Sequence, residues 1–297
     1  MLKLLKQMIW LPLLVSCLFT VQANPNPFFN HHKPGASPVT IAVQMFTLRN
    51  VGSLDEQLAM AHEGGYNAVE LVGTHGVDAQ QMNQLLAKYQ IKAISDHVQL
   101  VDLENNLDSV ISFNRAIGNH VIVMPYLAPE ARPTNARGWM ALGQELNGIG
   151  AKLRAAGMTL AYHNHNFEMK KYNGHLALDW IAKGASANNL KFEFDVAWIS
   201  RGGQDPAHLL NRFGKRVIAI HVKDNAGVGV HSDEGDFAVA GQGLLAWNEI
   251  MPAAQHDDID LYIVEHDAAL DPLTIITQAH EFLDNYFSSE RLFPAPR

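Results

Sequence analysis

Eight short stretches rich in β-branched and aromatic residues recur from Thr40 onward, at 40–48, 67–72, 91–97, 120–126, 158–165, 190–196, 217–223 and 260–266. The sequence between them reads as helix. Strand and helix alternating eight times, at intervals of roughly 30 residues, predict an α/β fold of one kind, a closed (β/α)8 barrel or TIM barrel. Each parallel neighbour needs a crossover, and eight such units close a sheet on itself. The helices carry their own signals. Ser53-Leu-Asp-Glu56 has the form of a capping box. Trp139, Leu142, Leu146, Ile149 and Leu153 recur at steps of three and four, which predicts an amphipathic helix over 136–155. Asp205-Pro206 and Asp271-Pro272 each place an N-cap before a proline at the first helical position. The barrel is expected to fill 40–287 as a single domain, with 288–297 a C-terminal tail.

Parallel strands of a barrel all deliver their ends to one face. Four successive strands here run directly into ionisable residues: Met158-Thr-Leu-Ala-Tyr-His-Asn-His165, Leu190-Lys-Phe-Glu-Phe-Asp195, Val217-Ile-Ala-Ile-His-Val-Lys-Asp224 and Leu261-Tyr-Ile-Val-Glu-His-Asp267. Such endings cost free energy to desolvate unless something shares the charge. A metal site at the barrel mouth is the arrangement that would share it. The connection Asn225–Gly243, with five glycines and little apolar content, is too polar for core and would lie at the same face as a binding loop or lid.

The chain has 297 residues, 47% hydrophobic and 18% charged, with a net charge of -8. That acidity argues against a nucleic-acid partner, which calls for a basic surface. Residues 1–23 differ in kind. Lys3 and Lys6 precede an apolar run from Met8 to Phe19, and Val21-Gln-Ala23 has the small-residue form of a signal-peptidase site. The run is short for a membrane span. A periplasmic or secreted protein is therefore expected, soluble unless Leu14-Val-Ser-Cys17 is used as a lipidation box. Cys17 is the single cysteine, so cleavage after Ala23 leaves no thiol for a disulfide or a nucleophile. Residues 24–39, with Pro25, Pro27, Pro34 and Pro38, read as an extended tether.

The segments Tyr162-His-Asn-His165, Glu193-Phe-Asp195-Val-Ala-Trp198, His221-Val-Lys-Asp224 and Val264-Glu265, in that order on successive strands, resemble the sugar phosphate isomerase/epimerase superfamily of xylose-isomerase-like TIM barrels. The resemblance covers roughly residues 40–287. It implies one divalent ion (Mn, Mg, Co or Zn) held by Asp195, His221 and Glu265. The fourth ligand of epimerases is a glutamate whose place corresponds here to His163, which is then either a ligand or a residue supporting one. Glu70 and His97 match positions that contact substrate, with a structural role the alternative for each, and Trp198 is either a sugar-stacking platform or a packing residue. Glu193 faces the same side as Asp195 and reads as a supporting acceptor. Gln44 would line the base of the site.

The resemblance implies proton movement next to a carbonyl, with an enediolate steadied by the ion. Replacing one of two paired carboxylates by His163 leaves the second proton carrier open among His165, Glu168 and Lys223. His165 is the first choice, two residues beyond His163 and so on the same side of a strand. Lys223 would support the oxyanion, and Glu265 would serve as both ligand and proton carrier. The leading expectation is an exported isomerase or epimerase acting on a non-phosphorylated sugar or keto-sugar. The alternatives are a lyase or hydratase acting on 3-keto-glycosides by β-elimination, and a sugar-binding barrel without catalysis.

Overall fold

The computed structural model describes residues 39–292. The expected signal peptide, most of the tether and the final residues of the tail lie outside the described residues.

Eight parallel strands close into a barrel: β1 (Thr40–Gln44), β2 (Ala68–Val72), β3 (Lys92–His97), β4 (Val121–Met124), β5 (Thr159–His163), β6 (Lys191–Asp195), β7 (Val217–Val222) and β8 (Leu261–Val264). Each pairs with its sequence neighbours, and β8 returns to β1. The single-domain (β/α)8 fold expected from the alternation is the one observed.

The capping signals hold. Ser53 Oγ and the Glu56 carboxylate form the reciprocal capping box that opens the helix Leu54–Glu63. The helix Ala136–Ala155 buries all five residues of its apolar stripe against the barrel, which contributes roughly 1.5–3 kcal/mol for each large side chain. Asp205 caps Pro206–Phe213 through the His208 amide. The last helix runs from Pro272 to Leu292, past Phe287 into the stretch expected to be tail.

The strands end earlier than the sequence pattern suggests. β1 stops at Gln44, and Met45–Leu48 turns as a 3-10 helix; β5 stops at His163, so His165 lies on the turn beyond the strand. β6 stops at Asp195 because Asp195 is itself an N-cap: its Oδ1 accepts from the Trp198 amide at 2.8 Å and starts the helix Val196–Arg201.

Register then aligns the site. Asp195 is opposite His221, His163 opposite Glu193, and Gln44 opposite Glu70. The connection after β7 is folded: Asp224–Asn225 pairs antiparallel with Phe237–Ala238. The buried Asp224 carboxylate anchors it, accepting from the amides of Asn225, Gly241, Gly243 and Leu245 and from Trp247 Nε1. A Cβ on Gly243 would lie 2.3 Å from Asp224 Oδ1, so only glycine permits this approach.

A candidate metal centre at the barrel mouth

The chemistry gathers where β5 to β8 end. Donor atoms of His163, Asp195, His221 and Glu265, all buried, lie within 4.8 Å of one another. Metal–ligand bonds of about 2.0–2.2 Å to nitrogen and oxygen set donors around one ion at comparable spacings. Asp195 adds a specific sign. Its Oδ1 is spent on the helix cap, while Oδ2 is buried without a hydrogen-bond partner. Lys223 Nζ lies 2.7 Å from Oδ2, but as an ion pair out of hydrogen-bond alignment. Two imidazoles and two carboxylates, with Asp195 Oδ2 among the donor atoms, make a set that fits a divalent ion.

Burial raises Asp195 to about 6, with Lys223 opposing. Burial also pushes Glu265 upward, but Lys223 and His221 overcome it and hold the carboxylate well below its usual range. His163 is pushed well down by burial and by the neighbouring His221. A neutral imidazole is the form that can coordinate a metal.

Beneath this set lies a second layer. Glu70 Oε1 accepts from Gln44 Nε2 at 2.7 Å and lies 3.0 Å from His97 Nε2 and 2.8 Å from His221 Nε2; Glu70 Oε2 accepts from Ser95 Oγ at 2.5 Å. Glu193 Oε1 lies 2.9 Å from both His97 Nε2 and His221 Nε2, and 3.1 Å from His163 Nδ1. Two buried carboxylates thus orient three imidazoles, as outer carboxylates do around metal-ligating histidines. Burial lowers His97, but Glu70 and Glu193 together raise it to about 10.

This floor places several expected residues. Gln44 lines the base, and Glu193 is the supporting acceptor. Glu70 and His97 are part of the floor, the structural alternative to substrate contact, with both Glu70 oxygens engaged by side chains. His163 lies in both layers, one ring nitrogen against Glu193 and the ring 4.4 Å from that of His221.

Lys223 is fully buried, and its ammonium meets Asp195, Glu265 (2.9 Å) and Asp267. Burial works against its charge, yet these three carboxylates hold it above its ordinary value. Asp224, the next residue in the chain, is not its partner; it anchors the loop. His165, although beyond the strand, still packs its ring 5.1 Å from His163. Burial, with Lys223 next in effect, pushes it down to about 3. His165 Nδ1 and Trp198 Nε1 are both buried without a hydrogen-bond partner, their rings 5.4 Å apart. Glu168 is turned away: Oε1 accepts from Tyr162 Oη at 2.6 Å and Oε2 from the His165 amide at 2.9 Å.

Sequence reasoning missed Asp267, Asn164 and the rim residues Tyr126, Arg132 and Phe167. Asp267 follows Glu265 by two residues, a spacing that could have signalled it. Asn164 clamps the end of β6, donating to Asp195 O and accepting from Asp195 N. The rim carried no local signal.

Residues 58–286 match the family described as xylose isomerase-like TIM barrel. The chain belongs to that family. Among curated proteins it is similar to inosose dehydratase of Lacticaseibacillus casei, 26% identical over 162 residues, which cover 49% of this chain and 54% of the relative. Inosose dehydratase of Clostridium perfringens is 24% identical over 165 residues, covering 50% and 55%. The chain thus matches about half the length of these relatives. Two solved structures share the fold. A sugar phosphate isomerase/epimerase from Parabacteroides distasonis superposes with a TM-score of 0.70 at 19% identity, covering 82% of this chain and 97% of that one. The IolI protein with a bound zinc atom gives 0.67 at 13%, covering 84% and 98%.

Proposed function

We propose that this chain is a metal-dependent lyase that removes water or an alcohol from a non-phosphorylated keto-sugar by β-elimination. The observation that carries the reading is Glu168. It is the carboxylate nearest in sequence to the missing epimerase ligand, and it is locked between Tyr162 and the His165 amide. Two opposed free carboxylates are what a two-base epimerisation uses, and the second is not available here. The curated relatives, named as dehydratases, support the same choice. This reverses the order expected from sequence, where isomerase came first.

A divalent ion held by His163, Asp195, His221 and Glu265 would supply Lewis-acid polarisation of the substrate carbonyl. The chain's own residues move the proton. His165, kept neutral by burial, accepts the proton from the carbon next to the carbonyl. The negative charge that develops on the substrate favours the imidazolium, as a nearby carboxylate would. Lys223, held protonated by its three carboxylates, keeps Asp195 and Glu265 ionised and fixed beside the site. The C–O bond at the next carbon then breaks, and His165 returns its proton to the departing oxygen. The products are an unsaturated ketone and water or an alcohol, with no change in overall oxidation state.

The ionised Glu265 favours a second reading, in which a carboxylate and His165 exchange the proton and return an isomer. NMR in D₂O with metal-loaded protein and 3-keto-glucosides separates the two. An olefinic product with released alcohol supports the lyase. Deuterium uptake with an intact isomerised sugar replaces it, and no exchange at all leaves a binding barrel. His165→Ala is expected to keep its metal by elemental analysis and lose most exchange.

We further propose that the enzyme is exported, on the strength of Lys3, Lys6, the apolar run and Val21-Gln-Ala23. A mature chain beginning at Asn24 supports this; one beginning at lipid-modified Cys17 makes it membrane-anchored instead.

A further inference from the structure

The aromatic surface of the site does not end at the groups that perform the chemistry. From the donor cluster outward, ring follows ring: His221 to His163 at 4.4 Å, His163 to His165 at 5.1 Å, and His165 to Tyr126 at 5.1 Å. Each step is comparable to the width of one sugar ring. Trp198 and Phe167 flank His165 at 5.4 and 5.7 Å. Tyr126, the outermost member, is 39% exposed at the end of β4.

Tyr126 is nevertheless held in place. Arg132 Nη2 donates to its hydroxyl at 2.8 Å, Arg132 Nε donates to Leu127 O at 2.9 Å, and the guanidinium lies 3.7 Å from the centre of the Phe167 ring. An exposed tyrosine normally moves freely. Here an arginine with two donors committed, its guanidinium 5.3 Å from the Tyr126 ring centre, fixes the ring at 72° to that of His165 while part of it stays exposed. A fixed aromatic face beside hydroxyl-directed donors is suited to the apolar face of a ring and its polar edge together. One sugar ring over His165 and Trp198 does not reach beyond Tyr126. A second ring does.

We propose that Tyr126, Phe167 and Arg132 form a second subsite that takes the ring joined to the keto-sugar, so that the substrate is a glycoside and not a free monosaccharide. The proposal rests on the enolising site described above, with the leaving oxygen near His165 and the departing ring on Tyr126.

The test compares methyl and 4-nitrophenyl 3-keto-glucosides in the metal-loaded protein. A stacked second ring lowers KM for the nitrophenyl compound by about tenfold. Tyr126→Ala raises that KM to the value of the methyl compound, and Arg132→Lys raises it in the same direction, since a lysine cannot hold both Tyr126 and Phe167. Equal KM values in the unaltered protein overturn the subsite, as does a Tyr126→Ala effect that is the same on both compounds. If neither compound is turned over, the lyase reading fails separately. Calorimetry with unoxidised methyl and 4-nitrophenyl glucosides then decides the subsite alone. A nitrophenyl preference lost in Tyr126→Ala upholds it, and no preference overturns it.

Discussion

Lys223 and Glu168 show how two buried charges on one rim reach different protonation states. Lys223 is surrounded by three carboxylates and stays charged; Glu168 has no cation in hydrogen-bond reach, and burial raises it from 4.5 to about 7 against the Tyr162 hydrogen bond. A carboxyl whose value is higher folded than unfolded binds its proton more tightly in the folded state. Stability therefore falls as pH rises from about 4.5 through about 7, by roughly 3 kcal/mol from this group. Glu168→Gln is expected to flatten the fall measured by urea unfolding between pH 5 and 8; an unchanged slope would assign the titration elsewhere. For Lys223, removing the ammonium leaves Asp195, Glu265 and Asp267 facing one another. Lys223→Met should cost the metal-free protein on the order of 3 kcal/mol. The loss should be smaller with a divalent ion present, which restores a positive charge to the same carboxylates.

At the scale of elements, the long helix Ala136–Ala155 and the helix Ala177–Gly184 pack closely, and glycine allows it. A Cβ on Gly143 would lie 2.2 Å from the carbonyl oxygen of Ile181, a backbone atom that cannot move aside. Gly143→Ala should separate the helices and lower the unfolding free energy by about 1–3 kcal/mol. Because the second helix follows the turn that carries His165 and Phe167, metal content should be retained while turnover falls. Equal stability by chemical denaturation would mean that the crossing tolerates a methyl group.

For the whole molecule, the proposed ion would join residues from four neighbouring strands, β5 to β8, into one linkage. Binding that requires those strands to be assembled adds to folding stability by mass action, about 2.7 kcal/mol at a hundredfold excess over Kd. Thermal unfolding should therefore shift upward with added Mn or Zn and return with chelator, and His221→Ala should abolish the shift. A midpoint that ignores both metal and chelator would remove the ion from this site. Among the described residues no helix is long and apolar enough to cross a membrane.

The eightfold alternation, the capping boxes and the strand endings of β5 to β8 were written locally, in periods of two and of three to four residues and in side chains that cap their own backbone. These alone determined the barrel and brought His163, Asp195, His221 and Glu265 to one mouth. Where a strand stops depends on its neighbours' ladder and on caps such as Asp195, so the expected strands ran too long and His165 fell on a turn. The floor was decided only by closure. Glu70 and His221 are 151 residues apart and meet at 2.8 Å because both project into the barrel interior. Lys223 finding Asp267 and Tyr126 reaching His165 have the same origin. Each is a contact between strand-end turns whose spacing the closed barrel sets, and no period in the chain encodes that distance.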